Sequence, residues 1–373
     1  MQVLICPDKF AGTLSAVQAA VAIADGWTAT APDDEVFTRP LADGGPGFIE
    51  VLAGALGGTR IPAATVDPLG RPATGEVLVV GERAYLESAQ ACGLHLLAPR
   101  ERDPKITTSY GLGLLITAAV ETGVREIVIG LGGSATNDAG GGMLAALDAA
   151  PLDAAGYALP FGGAALAGCV ALGGVPRLRG VRLVAATDVD NPLTGLFGAS
   201  SVFGPQKGAT REDVLLLDAA LETFAAVLEK ALPGCPSELT ARPGGGAAGG
   251  LGAAILALGG GMVSGTSLVR ELTGLDAAMD GADLVITGEG SFDAQSLRGK
   301  LVSGVAEAAR DRGLPCVVLA GQVTAGRREA AAAGVTETHS LVEHFGTVEE
   351  AMARPAEGLA ELASRLAGQW SRG

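Results

Sequence analysis

Short apolar runs alternate with segments of helical spacing at both ends of the chain, and less regularly between them. Near the N-terminus the pattern predicts strands over 2–6 and 35–39, with a helix over 16–29 between them and Ser15 placed to cap it. A glycine turn over 41–45 and an apolar helix over 48–56 follow. Towards the C-terminus the pattern predicts strands over 283–287, 316–320 and 339–342, and helices over 301–312, 327–333 and 348–366. Strands alternating with helices imply parallel βαβ units. Both ends are therefore expected to be pieces of one doubly wound sheet. In the middle, 76–80 and 84–87 suit a hairpin across Gly81-Glu82, strands are expected over 126–129 and 182–186, and helices over 111–122, 140–147, 212–232 and 247–258. The expected fold class is α/β: a Rossmann-like doubly wound parallel sheet domain (1–65 and 282–373) with a second α/β domain (66–281) inserted into it, and an active-site cleft between the two.

Composition narrows the class. A chain of 373 residues fits two domains at about 150 residues each. Only 4% of residues are aromatic, so the cores must be built from Ala, Val, Leu and Ile. The formal net charge of −15 argues against nucleic acid and against an anionic membrane surface as partners. A small anionic ligand needs a local cluster of donors. The chain has five lysines, and two of them, Lys207 and Lys300, fall in glycine-rich segments. Five cysteines, an odd number without any C-x-x-C pair, argue against a disulfide framework and a structural zinc site. No apolar run approaches the roughly 20 residues of a membrane span, and no basic leader opens the sequence. The expectation is a soluble, cytoplasmic enzyme; the sequence leaves its oligomeric state open, a homodimer included.

Three segments carry the candidate chemistry. The first is Gly130-Leu-Gly-Gly-Ser-Ala-Thr-Asn-Asp-Ala-Gly140, between a strand and a helix. Glycines bring backbone N–H groups close to a ligand. Gly132, Gly133, Ser134, Thr136 and Asn137 could cradle a phosphate with Asp138 near a metal; the alternative is a tight turn with a capping side chain. The second is Ala186-Thr-Asp-Val-Asp-Asn-Pro-Leu193, running on to Phe203-Gly-Pro-Gln-Lys-Gly208. Asp188 at a strand exit could take a proton from a hydroxyl or hold Mg²⁺, or simply form an Asx-turn with Asn191 nearby. Lys207, beside Gln206, faces either an anion or solvent. The third is Ile286-Thr-Gly-Glu-Gly-Ser-Phe-Asp-Ala-Gln295, leading to Gly299-Lys300. Here Gly288, Glu289, Gly290, Asp293, Gln295 and Lys300 follow a buried strand, on the usual ligand face of open α/β sheets. Asp8 and Asp43-Gly44-Gly45 follow the first two strands, as ligand groups or as turn residues.

No G-x-x-x-x-G-K-[ST] motif and no protein-kinase signature set is present. Gly244-Gly-Gly-Ala-Ala-Gly249 formally satisfies G-x-G-x-x-G, but the residues before it make a poor strand. The chain as a whole resembles the type I glycerate kinase family, which contains the bacterial glycerate 2-kinases. The resemblance runs from Pro7-Asp8, Gly12–Ala16 and Ala42–Gly45 through Arg102-Asp103-Pro104, Thr107–Ser109 and Gly130–Gly140. It continues through Asp188, Asn191–Leu193, Gly198–Ser200, Phe203–Gly208, Gly244–Gly252, Val285–Gly290, Asp293, Gln295-Ser296 and Gly299-Lys300. It implies ATP- and Mg²⁺-dependent phosphorylation of D-glycerate, with 2-phosphoglycerate favoured over 3-phosphoglycerate. On that reading Asp188 is the expected general base, with Lys207 and Asn137 expected at the reacting groups. Asp8, Asp43, Gly44, Gly45, the 132–138 loop, Asn191 and Gln206 would face substrate and phosphate. Gly288, Glu289, Gly290, Gln295 and Lys300 would face the nucleotide, with Glu289 and Asp293 as candidate Mg²⁺ ligands. Three positions depart from the family: Ala11 where Lys is usual, and Pro46 and Phe48 where Glu and Thr are usual. They keep two alternatives open, a kinase retuned to another small hydroxy acid and a sensor that binds without turnover. A dinucleotide-dependent oxidoreductase ranks last.

Overall fold

The computed structural model describes residues 1–297 and 301–371. The chain forms two compact units, one of Met1–Ala42, Glu50–Leu56 and Thr266–Gly373, the other of Asp43–Ile49 and Gly57–Gly265. These limits differ from the boundaries at 65 and 281 read from the sequence.

The first unit is built on five parallel strands: β1 (Gln2–Ile5), β2 (Glu35–Thr38), β11 (Leu284–Phe292), β12 (Cys316–Val323) and β13 (Glu337–Ser340). Their order in the sheet is β13-β12-β11-β1-β2. Val3, Leu4 and Ile5, Leu284 to Ile286, and Cys316 to Ala320 are all fully buried. Strands covered on both faces read as unbroken apolar runs, the signature of a parallel sheet under helices. The helix over Ala16–Thr30 starts with a complete capping box, Ser15 with Gln18. The helix expected over 348–366 is two helices, Val348–Ala353 and Pro355–Trp370. Pro355 has no N–H to continue the first and a φ suited to the start of the second. The strand expected over 339–342 ends at Ser340, whose hydroxyl caps a short helix at Glu343 N.

The second unit holds a six-stranded sheet: β3 (Thr59–Val66), β4 (Pro72–Val80), β5 (Arg83–Glu87), β6 (Glu126–Gly130), β9 (Arg182–Ala186) and β10 (Gly261–Val263). It is ordered β10-β9-β6-β5-β4-β3. A small hairpin, β7 (Ala150–Leu152) with β8 (Ala171–Gly173), stands apart. β5, β6, β9 and β10 run parallel; β4 and β3 are antiparallel to their neighbours. β3 escapes the sequence pattern because it is an edge strand with one face in solvent, and its Pro62 is tolerated only there. Its pairing with β4 along its whole length is why it belongs to this unit.

All five cysteines are free thiols. Among the described residues no helix is long and apolar enough to cross a membrane.

Candidate active site

The carboxyl ends of four parallel strands in the second unit meet side by side. Glu87 of β5 pairs with Gly130 of β6, Gly130 with Ala186 of β9, and Ala186 with Val263 of β10. Ligands of open α/β sheets bind beyond such an edge. The turn Asp43–Gly47 lies directly over it. A Cβ on Gly44 would stand 2.6 Å from the Ala186 carbonyl oxygen, and one on Gly132 would stand 2.6 Å from Gly45 Cα. Glycine at both positions is therefore required by backbone contact. Glu87, 5% exposed, accepts hydrogen bonds from the N–H groups of Gly47 at 3.0 Å and Ile49 at 3.4 Å. Asp43, which the sequence placed beside Asp8 on one sheet edge, thus belongs to the second unit, whereas Asp8 follows β1 in the first.

The loop after β6 is built around a buried lysine. Lys207 is 2% exposed, and its Nζ donates to Ser134 Oγ at 2.9 Å and to the Thr136 carbonyl oxygen at 2.6 Å. Burial pulls its pKa down to about 7, against the opposing pull of Asp138. The solvated loop cation allowed by the sequence is ruled out. Asn137 donates from Nδ2 to Ser200 Oγ at 2.9 Å, while its Oδ1 and the Thr136 hydroxyl are buried without a hydrogen-bond partner among the described residues. Native folds seldom leave such atoms unsatisfied, so this spot suits a ligand. Asp138 has a different role from the metal contact expected of it. Its carboxylate accepts from Ser109 N and Oγ, both at 2.8 Å, and from Gly140 N and Gly142 N, both at 3.2 Å. Desolvation still raises its pKa. Asp138 holds the loop and the following helix in place.

Asp188 lies two residues past β9 and is exposed; Ser264 Oγ donates to its Oδ1 at 2.6 Å. Ser264 directly follows β10, and a Cβ on the next residue, Gly265, would stand 2.5 Å from the Asp43 carbonyl oxygen. Asp188 and Asp43 are thus both held by the 264–265 corner. Asn191 donates to the Phe197 carbonyl oxygen at 2.8 Å, and Gln206 is exposed one residue before Lys207. The 244–250 segment is not a dinucleotide loop. Gly246 abuts the Pro192 carbonyl, and Gly249, at φ +71°, abuts that of Thr136.

In the first unit, β11 continues to Phe292, so Gly288, Glu289 and Gly290 are strand residues and not a turn. Asp8 N donates to the Gly288 carbonyl oxygen at 2.8 Å, which sets Asp8 beside Glu289 across adjacent strands. Glu289 lies within β11, and Asp293 directly follows its last residue, Phe292. Asp293 Oδ1 accepts from Gln295 N at 2.7 Å and Ser296 N at 3.1 Å, an Asx-turn. Among the described residues no three His, Cys, Asp or Glu groups cluster as a metal cage. Gly299 and Lys300 lie outside the described residues.

A family model described as the glycerate kinase family matches residues 3–371. This chain belongs to the glycerate kinase family. A glycerate kinase of Bacillus subtilis (strain 168) is 40% identical over 373 residues, covering 98% of this chain and 97% of its own. The glycerate 2-kinase of Escherichia coli (strain K12) is 39% identical, with the same coverage. A crystal structure from Salmonella typhimurium LT2, assigned as glycerate kinase 2, superposes with a TM-score of 0.81 at 38% identity, covering 99% of this chain and 98% of that one. The α/β architecture is thus that of a solved family member, and the chain is an enzyme of the kinase class.

Within this glycerate kinase family member, the structure brings Ser134, Thr136, Asn137 and Lys207 together, and sets Asp43 and Asp188 at one corner. Sequence reasoning missed Ser200 and Ser264 as partners of Asn137 and Asp188. Arg102 stands out in the sequence only within the Arg102-Asp103-Pro104 motif. No spacing signal marks the two serines, because they reach the site from other elements of the unit.

Proposed function

We propose that the chain transfers the γ-phosphoryl group of ATP to the 2-hydroxyl of D-glycerate, giving 2-phosphoglycerate and ADP. The observation that carries this reading is Lys207: a buried amine with a weakened hold on its proton, bound to a loop whose Thr136 and Asn137 offer unsatisfied oxygens, on a sheet edge that also bears an exposed carboxylate at Asp188. The name of the E. coli relative, a glycerate 2-kinase, favours the 2-hydroxyl.

Phosphoryl transfer relies on positioning and charge neutralisation. Asn137 Oδ1 and the Thr136 hydroxyl orient the acceptor. Asp188 accepts the proton of the attacking hydroxyl, held in place by Ser264. The bond from that oxygen to the γ-phosphorus forms as the bond to the bridging oxygen of ADP breaks. Lys207, recharged by the incoming anion, offsets the charge on the transferred group. Gly44, Gly45, Gly132, Gly133, Asn191 and Gln206 shape the same edge. The Gly288–Gln295 segment and Lys300 serve the nucleotide. Mg²⁺ is usually held by one or two carboxylates plus phosphate oxygens and water, a role that Glu289 and Asp293, with Asp8 nearby, would fill. Bound there, the ion would shield phosphate charge.

A second reading is favoured by Pro46 and Phe48. The Pro46 ring packs where a Cβ of Gly133 would be, 3.0 Å away, and Phe48 is fully buried against Gly130. Apolar groups at that turn suit another small 2-hydroxy acid. Phosphorus NMR of the product from D-glycerate and Mg-ATP tests both. A 2-phosphoglycerate resonance is expected. A 3-phosphoglycerate resonance overturns the regiochemistry, and turnover only with other hydroxy acids moves the enzyme to the second reading.

A further inference from the structure

We propose that Arg102 is the cation that grips the acceptor's carboxylate, an assignment that rests on the hydroxy-acid kinase reading above. Its Nε is shut off from solvent and has no hydrogen-bond partner among the described residues. The same condition holds at Thr136 Oγ1 and Asn137 Oδ1, the two atoms assigned to the acceptor. A desolvated donor on a charged group is costly to leave unpaired. A ligand oxygen would satisfy it.

The backbone places Arg102 against the segment that carries Lys207. Its carbonyl and Cβ pack against Gly208, the residue directly after Lys207. Gly208 has φ +98°, and a side chain there would collide with the Arg102 carbonyl. The segment that Arg102 begins then runs along the Lys207 loop and is tied to it twice. Thr107 Oγ1 donates to the Ala135 carbonyl oxygen at 3.0 Å, and Ser109 N and Oγ donate to Asp138.

The neighbouring lysines already have protein partners. Lys105 pairs with Asp213 at 2.8 Å and with Asp103 at 3.4 Å. Lys207 is held by Ser134 and the Thr136 carbonyl. Arg102 makes no ion pair with a described carboxylate. In a chain of net charge −15, an unpaired arginine beside the site is the natural anion receptor. Nε–H with one terminal N–H presents two parallel donors that match a carboxylate, a fork that lysine lacks. A hydroxyl next to the carboxylate would then be carried towards Thr136, Asn137 and Asp188.

The test is steady-state kinetics of the full chain and its R102K and R102M variants, with D-glycerate and with glycerol, the latter having the hydroxyls without the carboxylate. Expected for R102M is a rise in KM for D-glycerate of about ten- to a hundredfold. KM for ATP should hold steady, and the preference for D-glycerate over glycerol should shrink. R102K should fall between, keeping the charge and losing the fork. Should R102M not fold, R102Q and R102K carry the same comparison. A rise in KM for ATP alone would assign Arg102 to phosphate and overturn the proposal. So would an unchanged preference for the acid, or an equal loss with both acceptors. If the wild-type chain instead turns over a different hydroxy acid, the choice of D-glycerate fails. The comparison of that acid with its uncharged analogue still decides Arg102. If no acceptor turns over, calorimetric binding of D-glycerate to wild type and R102M decides it in the same way.

Discussion

Lys207 donates a 2.6 Å hydrogen bond to the carbonyl oxygen of Thr136 from a side chain that is 2% exposed. A lysine so enclosed resists protonation, and the chain gives up stability to hold it. Its pKa falls from 10.5 to about 7 on folding. Between those values the unfolded chain binds a proton that the folded chain does not, so unfolding free energy must rise with pH across that window. Lys207→Met removes this contribution. Urea unfolding of both proteins from pH 7 to 10.5 should show a shallower upward slope for the variant. The buried thiols, which act in the opposite sense at alkaline pH, are common to both and cancel in the difference. Equal slopes would mean that Lys207 titrates normally.

The same amine makes acceptor binding a protonation event. A bound anion restores the charged form, so D-glycerate should draw a proton from solution at about pH 8, above the free pKa of about 7. Calorimetry in two buffers of different ionisation enthalpy measures that uptake directly. No uptake by wild type would place the anion away from Lys207. Uptake that persists in Lys207→Met would assign it to another group.

Asp188 is exposed and anchored by Ser264, so its carboxylate can be changed without disturbing a core. Asp188→Asn should lower kcat by about 10²- to 10⁴-fold, the range expected for a general base, with little change in melting temperature. Ser264→Ala should lower kcat less, since it loosens the carboxylate without removing it. Near-normal turnover by Asp188→Asn would transfer the base role to another residue, such as Asp43, whose carbonyl abuts the same corner.

The buried parallel strands were legible because both faces are covered, so Val3 to Ile5 and Cys316 to Ala320 read as unbroken apolar runs. β3 was not, since Arg60, Pro62 and Thr65 break any apolar run on an edge with one wet face. At the site, the chemistry-bearing residues could be picked out by type, and the kinase reading set Lys207 and the Ser134–Asp138 loop around one substrate. Their roles could not be sorted, because glycine and aspartate answer to two demands. Gly132 and Gly44 are glycines because two backbones touch, and Asp138 is an aspartate because four donors converge on it. Neither demand leaves a mark in local spacing. It is set by residues such as Ser109 for Asp138, Ala186 for Gly44 and Gly45 for Gly132, which lie far away along the chain.

Gly249 tests how much of the site depends on backbone closeness alone. Its φ is +71°, and a Cβ there would overlap the Thr136 carbonyl oxygen that Lys207 grips. Gly123 has a similar φ of +82° with nothing near its missing Cβ. Both alanine variants incur the left-handed backbone cost of about 1–2 kcal/mol. Only Gly249→Ala must also push Thr136 aside. It should therefore be destabilised well beyond Gly123→Ala in thermal unfolding and, where still folded, lose activity that Gly123→Ala keeps. Equal melting temperatures and equal kcat for the two would show that the Thr136 carbonyl can move freely. The grip on Lys207 would then not be what organises the loop.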